Sequence, residues 1–211
     1  VLAAADLGYA GLPFNWVTMP DQYTLRALER MVLEGEDRAP VFVMAALISS
    51  HAPWTPVPEP VDWEAIGDGR IFDAMAVEGD PPAVVWRDED RVREQYRRSI
   101  DYVLEIVAQF VLRHAEDPPL VVVLGDHEPA AFVSETTAGT DVPAHMIGRP
   151  GDLAAIEGWG WSPGLVPAAD APRWPMAAFR DRFIAAYTPE ASRAEGGAVR
   201  QDGPLPLAGA D

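Results

Sequence analysis

The sequence contains no cysteine and no lysine. Without thiols, disulfides and thiolate metal sites are excluded, and the absence is compatible with either side of a membrane. Every basic residue apart from histidine is arginine, a composition bias to which no mechanism is attached. Basic residues are also few: 16 Lys plus Arg face 33 Asp plus Glu, for a net charge of -17. Phosphate-backbone binding needs clustered Lys and Arg, so nucleic acid is excluded as a partner. Simple electrostatic attachment to anionic lipid is excluded on the same ground. An acidic surface of this kind keeps a protein soluble. No run approaches the roughly 20 apolar residues that a membrane helix needs, so no membrane segment is expected in this chain. No signal peptide is visible. The chain opens on Val1, in sequence that reads as mid-domain, and an amino-terminal portion is expected upstream.

What is present is enough for a folded domain. The chain has 211 residues, 48% of them hydrophobic, which predicts a globular α/β domain with its own core. Residues 1–20 read as loop. Residues 21–34 read as a helix, with Leu25, Leu28 and Val32 on one face, Met31 at its edge, Pro20 near the first turn and Gly35 as C-cap. Asp21 adds a favourable negative charge at the helix start. Residues 41–48, VFVMAALI, form a continuous apolar run suited to a strand buried on both faces of a parallel sheet. A Pro-rich loop follows, then an irregular stretch over 61–87. Residues 88–114 predict the longest helix, with Tyr96, Ile100, Val103, Leu104, Val107 and Val111 inward and Pro118-Pro119 as the stop. Residues 120–126, LVVVLGD, predict a second buried strand. Residues 143–148 predict a short third one. GWGWSPG (158–164) reads as a turn, and 173–187 as a last helix with Phe179, Phe183 and Ile184 inward. The alternation predicts a doubly wound, mostly parallel sheet flanked by helices, one domain over 1–188, with a weakly packed Ala/Gly/Pro-rich tail over 189–211.

In doubly wound sheets, ligands bind beyond the carboxyl ends of the strands. Two of the four histidines stand there: His51 after the first apolar run and His127 after the second. Asp126-His127 offers a carboxylate and an imidazole, donors that suit a hard or borderline divalent cation. Gly125 allows a sharp turn beside them. The plainer alternative is an ordinary strand-to-loop turn capped by Asp126. His51 can protonate a leaving oxygen; alternatively it is a loop histidine held by backbone carbonyls. Ser50 beside it does not make a Ser-His nucleophile pair, because adjacent residues of an extended chain point apart. The G-x-S-x-G elbow of α/β hydrolases is also missing. His145, on the short third strand, is a substrate-proximal candidate or a packed strand histidine. His114 ends the long helix, where a cation complements the helix dipole. GWGWSPG has the wrong spacing for a dinucleotide fingerprint, and Trp159 and Trp161 are read as turn or core packing.

Read in order, F-N-W-x-T-M-P-D-Q (14–22), P-V-F-V-M-A-A-L-I-S-S-H-A-P-W (40–54), the long helix with Tyr96 and Asp101, V-V-V-L-G-D-H-E-P (121–129) and D-V-P-A-H (141–145) resemble the later half of a sulfatase-type domain of the alkaline phosphatase superfamily. The nearest subgroups are the lipoteichoic-acid-synthase-like and phosphoethanolamine-transferase-like enzymes. The resemblance covers residues 14–148. It implies that Asp126 and His127 are ligands of a divalent metal ion (Mn, Mg, Ca or Zn). It implies that His51 contacts the transferred phosphate or sulfate group or its leaving oxygen; His145 and Trp54 are substrate-proximal candidates beside it. The implied activity is that of a metal-dependent hydrolase or transferase acting on phosphate or sulfate esters, small-molecule or lipid-headgroup. The implied location is the extracytoplasmic face of a membrane. The family also requires a Thr, Ser or formylglycine nucleophile and further acidic ligands early in the domain, and no residue here matches them. Thr18 stands in the wrong part of the family order.

Two other readings stay open. One is a non-catalytic acidic α/β binding module with a residual metal site. The other is an unrelated α/β module with a chance Asp-His, in which His51 and Asp126 lie far apart.

Overall fold

A computed structural model of the chain describes residues 1–34, 39–134 and 139–188. Gly35 and the tail over 189–211 lie outside the described residues. The fold is mixed α/β, with many helices and one small sheet. The chain divides into two compact units. One is Val1–Pro119 with Gly125–Val142; the other is Leu120–Leu124 with the chain from Pro143.

The first unit is helical. α1 (Asp21–Leu28) runs on into a wider π turn over Glu29–Leu33, so the helix read from the sequence extends to Leu33. Its Tyr23, Leu25 and Ala27 are buried. Four short helical pieces follow among the described residues, two of them α2 (Asp73–Ala76) and α3 (Pro82–Val85). They lead into α4 (Glu89–Arg113), where the Asp88 side chain caps the first turn by accepting from the Asp90 and Arg91 amides. α5 (Ala131–Ser134) is one turn. The core gathers Tyr23 and Leu25 of α1, Trp63, Ile66 and Phe72 of the irregular stretch, and Ile106 and Phe110 of α4. Across it, the buried Glu29 carboxylate meets the guanidinium groups of Arg26 and Arg113, each at 2.9 Å. Such a pair ties helix to helix only because both partners are present.

The α4 stripe corrects the expected one. Val92, Ser99, Tyr102, Ile106, Val107 and Phe110 are buried, whereas the expected Tyr96, Ile100, Val103, Leu104 and Val111 border that stripe. Ser99 and Tyr102 sit inside because their hydroxyls have partners. Ser99 Oγ donates to the Tyr96 carbonyl at 2.7 Å, and Tyr102 Oη accepts from the Gln22 amide at 3.3 Å.

Residues 41–48 correct a second expectation. They form no strand, and Phe42 and Met44 are 88% and 89% exposed. A parallel strand needs a neighbouring strand to satisfy its backbone, and among the described residues none pairs with this run.

The second unit holds the sheet. β1 (Val121–Leu124) pairs antiparallel with β2 (Ala144–Ile147), in the register Val121↔Ile147 to Leu124↔Ala144. Both strands were legible as such, but the pairing is antiparallel and the side chains are half-buried, so no doubly wound parallel sheet forms among the described residues. α6 (Pro150–Ala154) and α7 (Met176–Tyr187) complete the unit. Phe179 and Phe183 of α7 join Trp159, Trp161 and Trp174 in an aromatic cluster. Ile184, expected inward, is 54% exposed.

Candidate functional site

His51 and Asp126-His127 both belong to the first unit. His51 follows a bend of the chain and is exposed. Its Nδ1 lies 2.9 Å from the Ala52 carbonyl, which also accepts from Trp16 Nε1 at 2.6 Å. A carbonyl only accepts, so Nδ1 carries the hydrogen and Nε2 is the basic nitrogen. The Trp16 ring meets the imidazole edge-on, with centroids 4.4 Å apart. Ring orientation and tautomer are therefore both set locally.

Trp54 lies three residues on. It is 6% exposed. Its backbone is left-handed, with φ of 57°, a conformation that costs a bulky residue of order 1–3 kcal/mol. Packing holds it there: the ring stacks on Trp86 and meets Tyr96 edge-on at 5.1 Å, and Nε1 donates to the Ser50 carbonyl at 2.8 Å. The hollow beside His51 and Trp54 measures only about 10 Å³, the room of one water.

Asp126 and His127 follow β1 and line a larger hollow of about 400 Å³ with Glu128, Pro129, Ala131, Gly139 and Thr140. The two hollows share no lining residue. The side chains of Asp126 and His127 are 91% and 69% exposed, with Oδ2 and Nε2 3.9 Å apart. The His127 amide donates to Asp126 Oδ1 at 2.9 Å. His127 Nδ1 lies 2.6 Å from the Glu128 carbonyl, which again places the hydrogen on Nδ1 and the lone pair on Nε2. That is the arrangement of a metal-ligating histidine, whose far nitrogen is fixed by an outer partner. Donor types and tautomer thus fit a divalent cation, but the fit is partial. Among the described residues no three His, Asp or Glu side chains converge to hold one. Gly125, expected at a sharp turn, serves close approach: a Cβ there would come within 3.3 Å of the Val142 side chain.

The His51 and His127 segments rest on one apolar cluster. Ala52 and Trp54 contribute from one segment, Phe132 and Val133 from the other, with Val85 and Val92 between. His145 lies in the second unit, where its Nε2 donates to the Leu165 carbonyl at 2.7 Å. His114 stands at the end of α4 with Nε2 3.2 Å from the buried Glu29, without hydrogen-bond geometry.

The sequence reading missed Asp21 and Gln22, both 0% exposed. Burial pushes the Asp21 carboxyl above the ordinary carboxylate range, against the lowering effect of the Ile48 and Ser49 amides that it accepts. A Pro-Asp-Gln at a helix start carries no local sign that its side chains reach residues 27 to 39 positions away.

No family model matches the chain, and neither a curated protein nor a solved structure resembles it significantly.

Proposed function

We propose that this chain is part of a metal-dependent hydrolase or transferase acting on phosphate or sulfate esters. The observation that carries the reading is the Asp126-His127 pair, with the His127 ring turned and its tautomer fixed by the Glu128 carbonyl at the wall of a hollow large enough for a small ester group. Asp126 and His127 Nε2 would hold the cation. A bound divalent cation stabilises oxyanion charge that develops during displacement at phosphorus or sulfur.

His51 supplies the proton. With Nδ1–H bound to the Ala52 carbonyl, Nε2 is the nitrogen that would carry the transferable proton. As the bond to the leaving oxygen breaks, its electron pair stays on that oxygen and the Nε2 proton moves to it. No residue of the sequence matches the hydroxyl nucleophile or the further acidic ligands that this chemistry requires. The reading therefore concerns part of a site, and the ester is a small molecule or a lipid headgroup on the extracytoplasmic face by analogy only.

The same reading includes a doubly wound, mostly parallel sheet flanked by helices. Its support is the exposure of Phe42 and Met44, apolar side chains that flanking strands and helices would cover.

A second reading, a non-catalytic acidic binding module with a residual cation site, is favoured by the convergence of only two donors among the described residues. The deciding experiment is titration of the chain with Mn, Mg, Ca and Zn, followed by inorganic phosphate or sulfate, while the His51 and His127 ring resonances are recorded. The ester reading expects the cation to move His127 and the anion then to move His51. A cation response at His127 with no anion response at His51 favours the binding module, and no cation response overturns both.

A further inference from the structure

Asp21 and Gln22 are the first two residues of α1, and the ester reading uses neither. Asp21 does not cap its own helix, since no side chain caps that terminus. Its Oδ1 instead accepts from the Ile48 amide at 2.8 Å and the Ser49 amide at 3.0 Å, while its own amide donates to Ser49 Oγ at 3.0 Å. Gln22 does the same at a second place. Its Nε2 donates to the Val61 carbonyl at 2.7 Å, and its Oε1 accepts from the Val61 amide at 3.0 Å. The side-chain amide thus pairs with Val61 as a neighbouring strand would.

The two contacts fall at the two ends of one loop. Ile48 and Ser49 open the segment that carries His51, and Val61 closes it. None of the three lies in a strand, so the Ile48 and Ser49 amides and both backbone groups of Val61 take these side chains as partners, while the Ile48 carbonyl accepts from the His51 amide at 3.0 Å. The arrangement is expensive. A carboxylate taken fully out of water destabilises unless its hydrogen bonds compensate, and Asp21 Oδ2 is buried with no partner. Two aliphatic residues would fill the same space without that cost, but they could not accept the Ile48 and Ser49 amides.

We propose that Asp21 and Gln22 are positioning residues, a clasp at the N-terminus of α1 that closes the 49–61 loop and fixes where His51 stands. The inference rests on His51 as the group that faces the ester, but the clasp is measurable without any ester.

The test is amide hydrogen exchange by NMR on the whole chain, wild type against Asp21→Ala, Asp21→Asn and Gln22→Ala, together with the rate at which diethyl pyrocarbonate modifies His51. Asp21→Ala should speed exchange at Ile48 and Ser49 at least tenfold, while Ile106 and Phe110 in α4 keep wild-type rates. The His51 modification rate should change with it. Asp21→Asn keeps an oxygen for both amides and should restore both readouts. Gln22→Ala should release Val61 alone, and it carries the test if Asp21→Ala does not fold. Unchanged exchange at Ile48 and Ser49, equal acceleration throughout α4, or an unaltered His51 rate in a chain whose loop ends are released would each overturn the proposal. Failure of the ester reading shows up separately, as no anion response at His51 in a wild type whose exchange pattern still follows the clasp.

Discussion

The indole of Trp54 lies stacked on that of Trp86, with centroids 5.6 Å apart and planes 11° from parallel. The two are joined in sequence by a loop and four short helical pieces, and Trp86 in turn meets Phe132 edge-on, with centroids 6.1 Å apart. The same aromatic column therefore supports the segments that carry His51 and His127.

Trp54→Ala should accordingly cost about 3–5 kcal/mol, the range for emptying a buried aromatic site. Alanine would also keep the left-handed backbone strain. Trp54→Phe retains most of the stack and loses the bond to the Ser50 carbonyl, a loss of about 1 kcal/mol. Urea unfolding of the three chains measures this. An alanine variant as stable as wild type would show that the column is not a core.

Asp21 makes stability depend on pH in a definite direction. Its folded pKa is raised, chiefly by burial, so the folded state holds that proton more tightly than the unfolded chain does. The stability this group contributes is fully present below its unfolded value, about 3.9, and is lost as pH rises through the folded value. Asp21→Asn removes the titration while keeping an acceptor. Its stability relative to wild type should therefore improve from pH 3 to pH 7, read as unfolding midpoints along a pH series. A difference that does not vary with pH would mean that Asp21 titrates alike in both states.

The elements that the sequence showed well are those whose signal is local. Residues 88–114 carry a cap residue, a helical period and a proline stop, and α4 occupies Glu89–Arg113. The run at 121–124 is β-branched and apolar, that at 144–147 is apolar apart from His145, and both are strands. The failures are all matters of partners. VFVMAALI has the composition of a central strand, but a strand is defined by what pairs with it. Ser99 and Tyr102 looked less apolar than their neighbours on α4, and they are inside because specific acceptors and donors meet them. Of the candidate site, His51 and Asp126-His127 were visible by standing after apolar runs. The clasp was not, because its contacts span tens of residues and leave no local pattern.

Phe42 and Met44 offer a direct measure of the unpaired run. Exposed apolar side chains mark association surfaces, and among the described residues no strand pairs with the backbone beside them, which leaves an edge for another chain. The wild-type chain should self-associate with rising concentration in sedimentation velocity. Phe42→Asp with Met44→Asp should shift it towards monomer without changing its unfolding midpoint, since neither side chain is buried. A wild type that stays monomeric up to about millimolar concentration would remove the argument.

The final prediction concerns the chain's own chemistry. A divalent ion needs several ligands in fixed geometry, and Asp126 and His127 are two donors, both largely exposed. Water can fill the remaining positions, but each protein ligand missing from the shell lowers affinity. The hydroxyl nucleophile has no match in the sequence. This chain alone should therefore bind divalent cations weakly and hydrolyse neither aryl phosphate nor aryl sulfate esters. Asp126→Ala should abolish the weak binding. His51→Ala should leave it intact, because His51 is assigned to the leaving oxygen and not to the metal; calorimetric titration separates the two. In a form of the protein that does turn over, His51→Ala should lower the rate by about 10²–10⁴-fold, the usual contribution of a general acid. Loss of metal binding in that variant would reassign His51 as a ligand. Robust turnover by this chain that vanishes with Asp126→Ala would place a nucleophile within residues 1–211, and Thr140, which lines the hollow beside Asp126, would be the first to substitute.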